Sequence, residues 1–213
     1  MLRLTVHLLI IGFLGAGPLR ADPVVKRWLA SNEGVDTLRI EFTQTRKLTS
    51  LKSSIRQRGV LWVDHRRGGR FRWQTGDPPR TIVTGKGGQL LIIRPRSKQY
   101  ERALDGESRS SMAILAREFP RSWEEFQRRY HLLGVKSGSK THRINVQPRG
   151  QSERGIRVLT FVTGREKGSL QAIEVLFRDG SSQQIAFDKV VRRLPLGPEL
   201  FSPDLTGYQA TRF

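Results

Sequence analysis

Cysteine is absent from the 213-residue sequence, and acidic residues are scarce. Without cysteine the chain can form no disulfide, thiol nucleophile, iron–sulfur cluster or zinc ribbon. Only 19 Asp and Glu residues oppose 38 Lys and Arg residues, which gives a formal net charge of +19. The chain is nevertheless too apolar for a disordered polycation, because 37% of its residues are hydrophobic. We expect one folded domain that needs no covalent or metal cross-link.

The sequence also lacks the motifs of the common catalytic classes. It contains no HExxH pattern and no GxSxG elbow. Residues 134–141 resemble a phosphate-binding loop, but Ser139 occupies the position of the glycine that should precede Lys140. We interpret this segment as an ordinary loop, and we expect surface positions for His65, His131 and His142. These features predict a protein that is not an enzyme and that has no cofactor and no metal site.

The first 21 residues are typical of a secretory signal peptide. Arg3 precedes an apolar run, and small residues follow the run; the run and the small residues together occupy positions 8–17. The run is shorter than the span of about 20 residues that crosses a bilayer, so an uncleaved membrane anchor is the weaker alternative. We expect cleavage after Ala21 or near Gly17, and export of a single domain formed by residues 22–213.

Helical spacing of apolar residues predicts three helices. The first begins with Asp22 as its N-cap and Pro23 at its first position, and it ends near Gly34. The other two lie in the middle of the chain on either side of Pro120, which interrupts the pattern. Their apolar stripes consist of Met112, Leu115, Ala116 and Phe119, and of Trp123, Phe126 and Tyr130.

Alternation of apolar and polar residues predicts a mainly β fold. Glycine-rich residues 85–88 and the pair Asp179-Gly180 predict hairpin turns. Because no linker or repeat divides the chain, we expect one large, curled antiparallel sheet with helices on one side. A concave apolar face closed by helices would leave room for an acyl chain or another apolar ligand. The predicted strands are 38–43, 59–64, 70–74, 81–84, 89–93, 99–102, 142–147, 156–163, 170–178 and 183–191.

Several segments follow one another in the order of a known family. Phe42-Thr43-Gln44 precedes Gly59-Val60-Leu61-Trp62, and a basic corner at 66–73 follows. The hairpin at 82–90 and the closing segment Leu200-Phe201-Ser202-Pro203 complete the series. Together these segments resemble the LolA family of periplasmic lipoprotein carriers.

The resemblance implies both a fold and a function. The implied fold is mainly β with helices (α+β), an incomplete antiparallel β-barrel of about ten to eleven strands with a helical lid. Such a periplasmic carrier shields the acyl chains of lipoproteins while they pass from the inner to the outer membrane. Its implied partners are an inner-membrane lipoprotein-releasing ABC transporter and an outer-membrane acceptor, and we expect a monomer. A LolA-like carrier of free lipid or glycolipid that works with a membrane exporter is the alternative.

The resemblance also implies site residues. The family's arginine that contacts the lid corresponds to Arg67, or to Arg66 because the corner is longer here. Phe71 and Trp73 point to one face of their strand and Arg72 to the other, because side chains alternate along a strand. The acyl-binding residues expected on this basis are Phe71, Trp73, Trp62, Ile82, Leu91 and Ile93 in the sheet, with Met112 and Leu115 in the lid helix.

The basic charge favours contact with an anionic membrane surface or an acidic partner. Nucleic-acid binding is disfavoured, since base-stacking rings should share an exposed face with the basic residues. Phe71 and Trp73 instead alternate with Arg70 and Arg72, so that the rings and the cations lie on opposite faces.

Overall fold

The computed structural model describes residues 22–66, 69–104, 120–149 and 155–211. This part of the chain contains two α-helices, α1 (Pro23–Ser31) and α2 (Trp123–Arg129), and one sheet. The strands of the sheet are β1 (Thr37–Lys47), β2 (Ile55–Asp64), β3 (Arg70–Thr75), β4 (Thr81–Lys86), β5 (Gln89–Arg94), β6 (Gln99–Leu104), β7 (Tyr130–Ser137), β8 (Thr141–Pro148), β9 (Ile156–Gly164), β10 (Leu170–Phe177), β11 (Ser182–Arg192) and β12 (Gln209–Ala210).

The sheet is open and curled. Its strand order across the described residues is β12-β6-β5-β4-β3-β2-β1-β11-β10-β9-β8-β7. Neighbouring strands are antiparallel, apart from β12, which pairs in parallel with β6. Because β12 and β7 remain as edges, the sheet does not close. The incomplete antiparallel barrel predicted from the sequence is therefore confirmed.

Helix α1 begins as the sequence predicts, and both described helices have a side-chain cap. The Asp22 side chain accepts a hydrogen bond from the backbone N–H of Val24 at 2.8 Å, which caps α1. The Ser122 hydroxyl accepts one from the backbone N–H of Glu125 at 3.1 Å, which caps α2. The helix predicted around Met112 lies outside the described residues. No helix in the described ranges has the length and apolar character that a membrane crossing requires.

The ten predicted strand segments all overlap strands of the sheet, but the sequence pattern does not predict β7 or β12. Residues 134–137, interpreted above as a loop, belong to β7, and Tyr130 starts this strand instead of continuing α2. The register of β7 on β8 shifts between Leu132 and Gly134, which breaks the alternation that would have revealed a strand. β12 has only two residues and is too short to show a pattern.

The predicted hairpin turn between β4 and β5 is confirmed. Lys86 pairs with Gln89, so Gly87 and Gly88 form a two-residue loop. Both glycines have positive φ, +56° and +80°. A type I′ turn requires this conformation at both positions, and glycine adopts it without steric cost.

One face of the sheet, called here the inner face, carries the main apolar core. Side chains that pair directly across antiparallel strands lie on the same face. One such row runs across β1 to β5 and consists of Ile40, Leu61, Trp73, Val83 and Ile92. A second row crosses β8 to β11 and consists of Ile144, Phe161, Ile173 and Ile185. Except for the half-buried Ile92, all of these residues are buried in one cluster.

Both helices pack on the inner face. The Trp28 ring of α1 lies 4.4 Å from the Phe161 ring of β9 and 6.1 Å from the Phe126 ring of α2, measured between centroids. The Tyr130 ring lies 5.4 Å from both Phe126 and Phe161. An aromatic cluster thus joins α1 and α2 to the part of the sheet near β7 and β9.

Residues 194–211, the C-terminal segment, run along the opposite or outer face. The Thr37 hydroxyl donates a hydrogen bond to the Leu194 carbonyl at 2.8 Å, and the Arg72 guanidinium donates one to the Leu200 carbonyl at 3.2 Å. The 3₁₀ helix Pro198–Phe201 packs on β3. The segment then reaches the sheet edge, where β12 pairs with β6.

Candidate functional site

Aromatic side chains concentrate on the inner face near β3. The exposed fraction is 6% for Phe71 and 1% for Trp73. The two residues share this face, as their spacing predicts. The ring of Phe42, on β1, lies 4.1 Å from that of Trp73, measured between centroids. With Leu61 and Val83 these rings form an apolar wall across four strands.

Two glycines make room for these rings. Phe42 pairs with Gly59, and a Cβ on Gly59 would lie 2.3 Å from the Phe42 ring. Phe71 pairs with Gly85, where a Cβ would lie 2.1 Å from the Phe71 ring. A side chain at either glycine would therefore displace a ring of the wall. Local sequence does not reveal this role, because it depends on which residues pair across the strands.

Several polar atoms in the interior lack a hydrogen-bond partner in the described part of the chain. They are Nε1 of Trp73, Nε1 of Trp28, Oη of Tyr130 and Oε1 of Gln44, among others. Gln44 lies two residues from Phe42 and shares its face. A buried polar group without a partner costs about 1–3 kcal/mol. Within the described residues these interior donors and acceptors are therefore unpaired.

The other expected acyl-binding residues of the sheet lie on the outer face. Trp62 pairs with Arg72, and Ile82 pairs with Ile93. Leu91 pairs with Thr84, which itself pairs with Arg72. Trp62, Ile82, Leu91 and Ile93 are thus separated from Phe71 and Trp73 by the sheet itself. Leu90 and Ile92, which alternate with Leu91 and Ile93 along β5, lie on the inner face instead. Met112 and Leu115 lie outside the described residues.

The outer-face residues have a different environment. The guanidinium groups of Arg39 and Arg72 lie 5.9 and 6.0 Å from the centroid of the Trp62 ring. Ile82 and Ile93 are buried, yet they do not belong to the inner-face cluster. A cavity of about 540 Å³ lies between the C-terminal segment and strands β4 to β6. The C-terminal segment therefore covers part of the outer face, and both polar and apolar residues line the cavity beneath it.

Asp64 organises the basic corner between β2 and β3. Its side chain is 1% exposed. It accepts hydrogen bonds from the backbone N–H and the guanidinium of Arg66, at 3.0 and 2.9 Å, and from the Arg70 guanidinium at 3.0 Å. Burial by itself would raise the pKa of Asp64, but the hydrogen bonds from the two arginines outweigh it and lower the pKa to about 2. Arg66, one of the two expected lid contacts, thus binds Asp64, and Arg67 lies outside the described residues.

The expected surface position of His142 is wrong. This side chain is only 7% exposed, and the Ser137 hydroxyl lies 2.8 Å from its Nδ1 atom. His142 lies two residues before Ile144 and therefore shares the inward face of β8 with Ile144 and Val146, which places it in the interior. Across the described ranges, no three His, Asp or Glu side chains are grouped so that they could hold a metal ion.

The sequence matches one family model. Residues 33–204 match the model described as outer membrane lipoprotein carrier protein LolA. The match covers the inner-face rings, the Asp64 corner and the 3₁₀ helix of the C-terminal segment. No curated protein matches this sequence.

Solved structures share the fold at low sequence identity. A domain from Vibrio parahaemolyticus assigned to outer membrane lipoprotein sorting is 12% identical, with a TM-score of 0.51 over 84% of this chain and 94% of that one. A DUF1329 family protein from Desulfovibrio piger is 11% identical, with a TM-score of 0.54 over 89% and 100%. An uncharacterized conserved protein from Thermus thermophilus is 8% identical, with a TM-score of 0.53 over 89% and 97%. At these identities the similarity concerns the fold alone.

Proposed function

Because the chain belongs to the LolA family of outer membrane lipoprotein carrier proteins, we propose that it carries acylated lipoproteins through the periplasm from the inner to the outer membrane. The apolar wall on the inner face of the open sheet is the observation that best supports this role. The acyl chains of a lipoprotein need shelter from water, whereas its polypeptide does not. A carrier of this kind makes and breaks no covalent bond.

In this proposal the acyl chains lie against Phe71 and Trp73, and the aliphatic side chains of Leu90 and Ile92 extend the contact. Each methylene moved from water to such a surface contributes about 0.8 kcal/mol. The unpartnered Nε1 of Trp73 supplies a donor for an ester carbonyl at the head of an acyl chain. The expected lid residues Met112 and Leu115 remain part of the proposal as predictions from the sequence.

Loading and release require bound and empty states of similar free energy. The side chains of the inner face are buried against other parts of the protein in this structure. An entering acyl chain would exchange these contacts for contacts with itself, so the net free-energy change would be much smaller than the burial of the chain alone. A small difference allows an inner-membrane lipoprotein-releasing ABC transporter to load the carrier and an outer-membrane acceptor to unload it.

Substitution of Phe71 by Glu tests the proposed site. A carboxylate on the inner face would place an unpaired charge against the acyl chain, so we expect loss of acyl binding. Leu91→Glu is the matched control, because Leu91 lies two strands away on the outer face. Binding of a fluorescent acyl probe to both purified variants is the measurement, and circular dichroism verifies that each is folded. Equal affinity of the two variants would contradict the site.

Native mass spectrometry of the protein purified from the periplasm tests the cargo. Bound triacylated or diacylated protein would support lipoprotein transport. Bound phospholipid or glycolipid would instead support a LolA-like carrier of free lipid that works with a membrane exporter. An empty protein that also takes up no acyl probe would contradict both forms of the proposal.

A further inference from the structure

The loop between β1 and β2 exposes large aliphatic side chains. Leu51, in this loop, is 47% exposed, and Ile55, at the start of β2, is 42% exposed. Large aliphatic side chains are usually buried, and here two exposed ones belong to the end of the same hairpin. The pairing of β1 with β2 extends up to this loop, because Arg46 pairs with Ile55. We call residues 46–58 the basic hairpin tip.

The same segment carries five exposed cations: Arg46, Lys47, Lys52, Arg56 and Arg58. Residues 44–58 contain no Asp or Glu. Arg56 and Arg58 lie on the outer face of β2, opposite Thr45 and Thr43, while Arg46 lies on the other side. The cations therefore project from both faces of the hairpin that carries the two aliphatic side chains.

Acidic residues nearby offset only part of this charge. Asp179 lies in the turn between β10 and β11, next to Gly180, where a Cβ would lie 3.2 Å from the Thr49 side chain. Its carboxylate accepts hydrogen bonds from the backbone N–H and the hydroxyl of Ser181, at 2.9 and 2.6 Å. The charge of Arg46 also lowers the pKa of Asp179, so this carboxylate partly offsets one of the five cations. Asp77, in the turn between β3 and β4, is followed closely by Arg80, so the acids near the tip leave it with an excess of positive charge.

We propose that the basic hairpin tip docks this protein on an anionic phospholipid surface, with Leu51 and Ile55 in the headgroup region and the cations on lipid phosphates. Aliphatic side chains bordered by Lys and Arg fit the interface of an anionic bilayer. The tip contains no aromatic residue that could stack on a base, which disfavours nucleic acid. The proposal does not depend on the cargo, because neither Leu51 nor Ile55 belongs to the inner-face cluster.

The absence of native cysteine permits a direct test. A single Leu51→Cys variant labelled with the environment-sensitive dye NBD would place the probe at the tip alone. Lys86→Cys is the control, because Lys86 is exposed at the opposite end of the strands, beside the turn between β4 and β5. With vesicles of phosphatidylcholine and phosphatidylglycerol, we expect a blue shift and stronger emission at position 51 and none at position 86. No change at 51, or an equal change at both positions, would overturn the proposal.

Charge variants test the second component of the interaction. Lys52→Gln combined with Arg56→Gln should weaken partitioning onto the same vesicles at least about tenfold, since each cation near an anionic surface contributes about a fivefold factor. Lys86→Gln combined with Lys140→Gln removes the same charge at the far end of the strands and should change partitioning far less. Equal losses in the two double variants would show that only net charge acts, and would overturn the assignment to the tip. Unchanged acyl-probe binding in the Lys52 and Arg56 double variant would show that membrane docking and acyl binding depend on different residues.

Discussion

At the scale of single residues, Asp64 combines nearly complete burial with two arginine partners. Because its pKa is lowered from 3.8 to about 2 in the folded state, the charged form is the one that the fold stabilises. The contribution is fully present above about pH 4 and is lost as the pH falls through the folded pKa. The lowering corresponds to about 2 kcal/mol.

Replacement of Asp64 by Asn should therefore lower the free energy of unfolding by about 2 kcal/mol at neutral pH, with a smaller difference near pH 2. Arg70, whose side chain is only 12% exposed, would lose its charged partner. Asp36→Asn is the control, because Asp36 is 58% exposed and its ion pair with Arg121 should contribute less than about 1 kcal/mol. Urea denaturation at both pH values measures the difference. A pH-independent loss in the Asp64 variant would contradict the assigned pKa.

The same scale shows why the candidate site could be predicted only in part. The shared face of Phe71 and Trp73 follows from alternation within one strand, which is a local property. Whether Leu90 or Leu91 joins them depends also on the register of β4 on β3, and the longer connection between these two strands leaves that register unspecified by local sequence. Both residues are leucine, so a register shift of one residue would still place a leucine on the inner face. The sequence pattern therefore does not distinguish the two registers. The expectation that Trp62 joins the inner residues fails because its face depends on the pairing of β2 with β3, where Trp62 lies opposite Arg72.

At the scale of elements, the sequence predicts where strands lie better than it predicts which strands pair with each other in the sheet. β3 alternates cleanly between half-buried and buried residues, and its segment was predicted to within a residue. β7 was not, because its bulge at Leu132 and Gly134 interrupts the alternation. β7 also follows α2 without a connecting loop. Tyr130 therefore continues the apolar helical stripe of the sequence, although its backbone is extended.

The short helix α2 depends on its N-terminal cap. It has only seven residues, and the Ser122 hydroxyl satisfies the backbone N–H of Glu125. Ser122→Ala should lower the free energy of unfolding by about 1 kcal/mol, since a short helix has little other local support. Ser53→Ala, in the exposed loop between β1 and β2, is the control. Urea denaturation of both variants is the measurement, and equal stability would mean that burial of Phe126 alone holds the helix in place.

At the scale of the whole molecule, β1 joins the two halves of the sheet. It pairs with β2, the next strand in sequence, and with β11, whose residue Phe187 lies opposite Phe42. This long-range pairing continues the inner face from the wall around Trp73 to the helix-covered region around Phe161. Sequence alternation predicts both strands but cannot show that they are neighbours, because pairing between distant strands leaves no local signal.

The net charge of +19 gives the molecule two opposite responses to salt. Repulsion among 38 basic residues opposes the compact state, and added ions screen it, so folding should become more stable as salt is added. The same screening weakens attraction of the basic hairpin tip to anionic lipid. Between about 0.02 and about 0.3 M sodium chloride we therefore expect the urea midpoint of unfolding to rise while vesicle binding falls. As a control, an uncharged solute at matched osmolality should leave vesicle binding unchanged. If the urea midpoint and vesicle binding both rose or both fell with sodium chloride, one of the two responses would not be electrostatic.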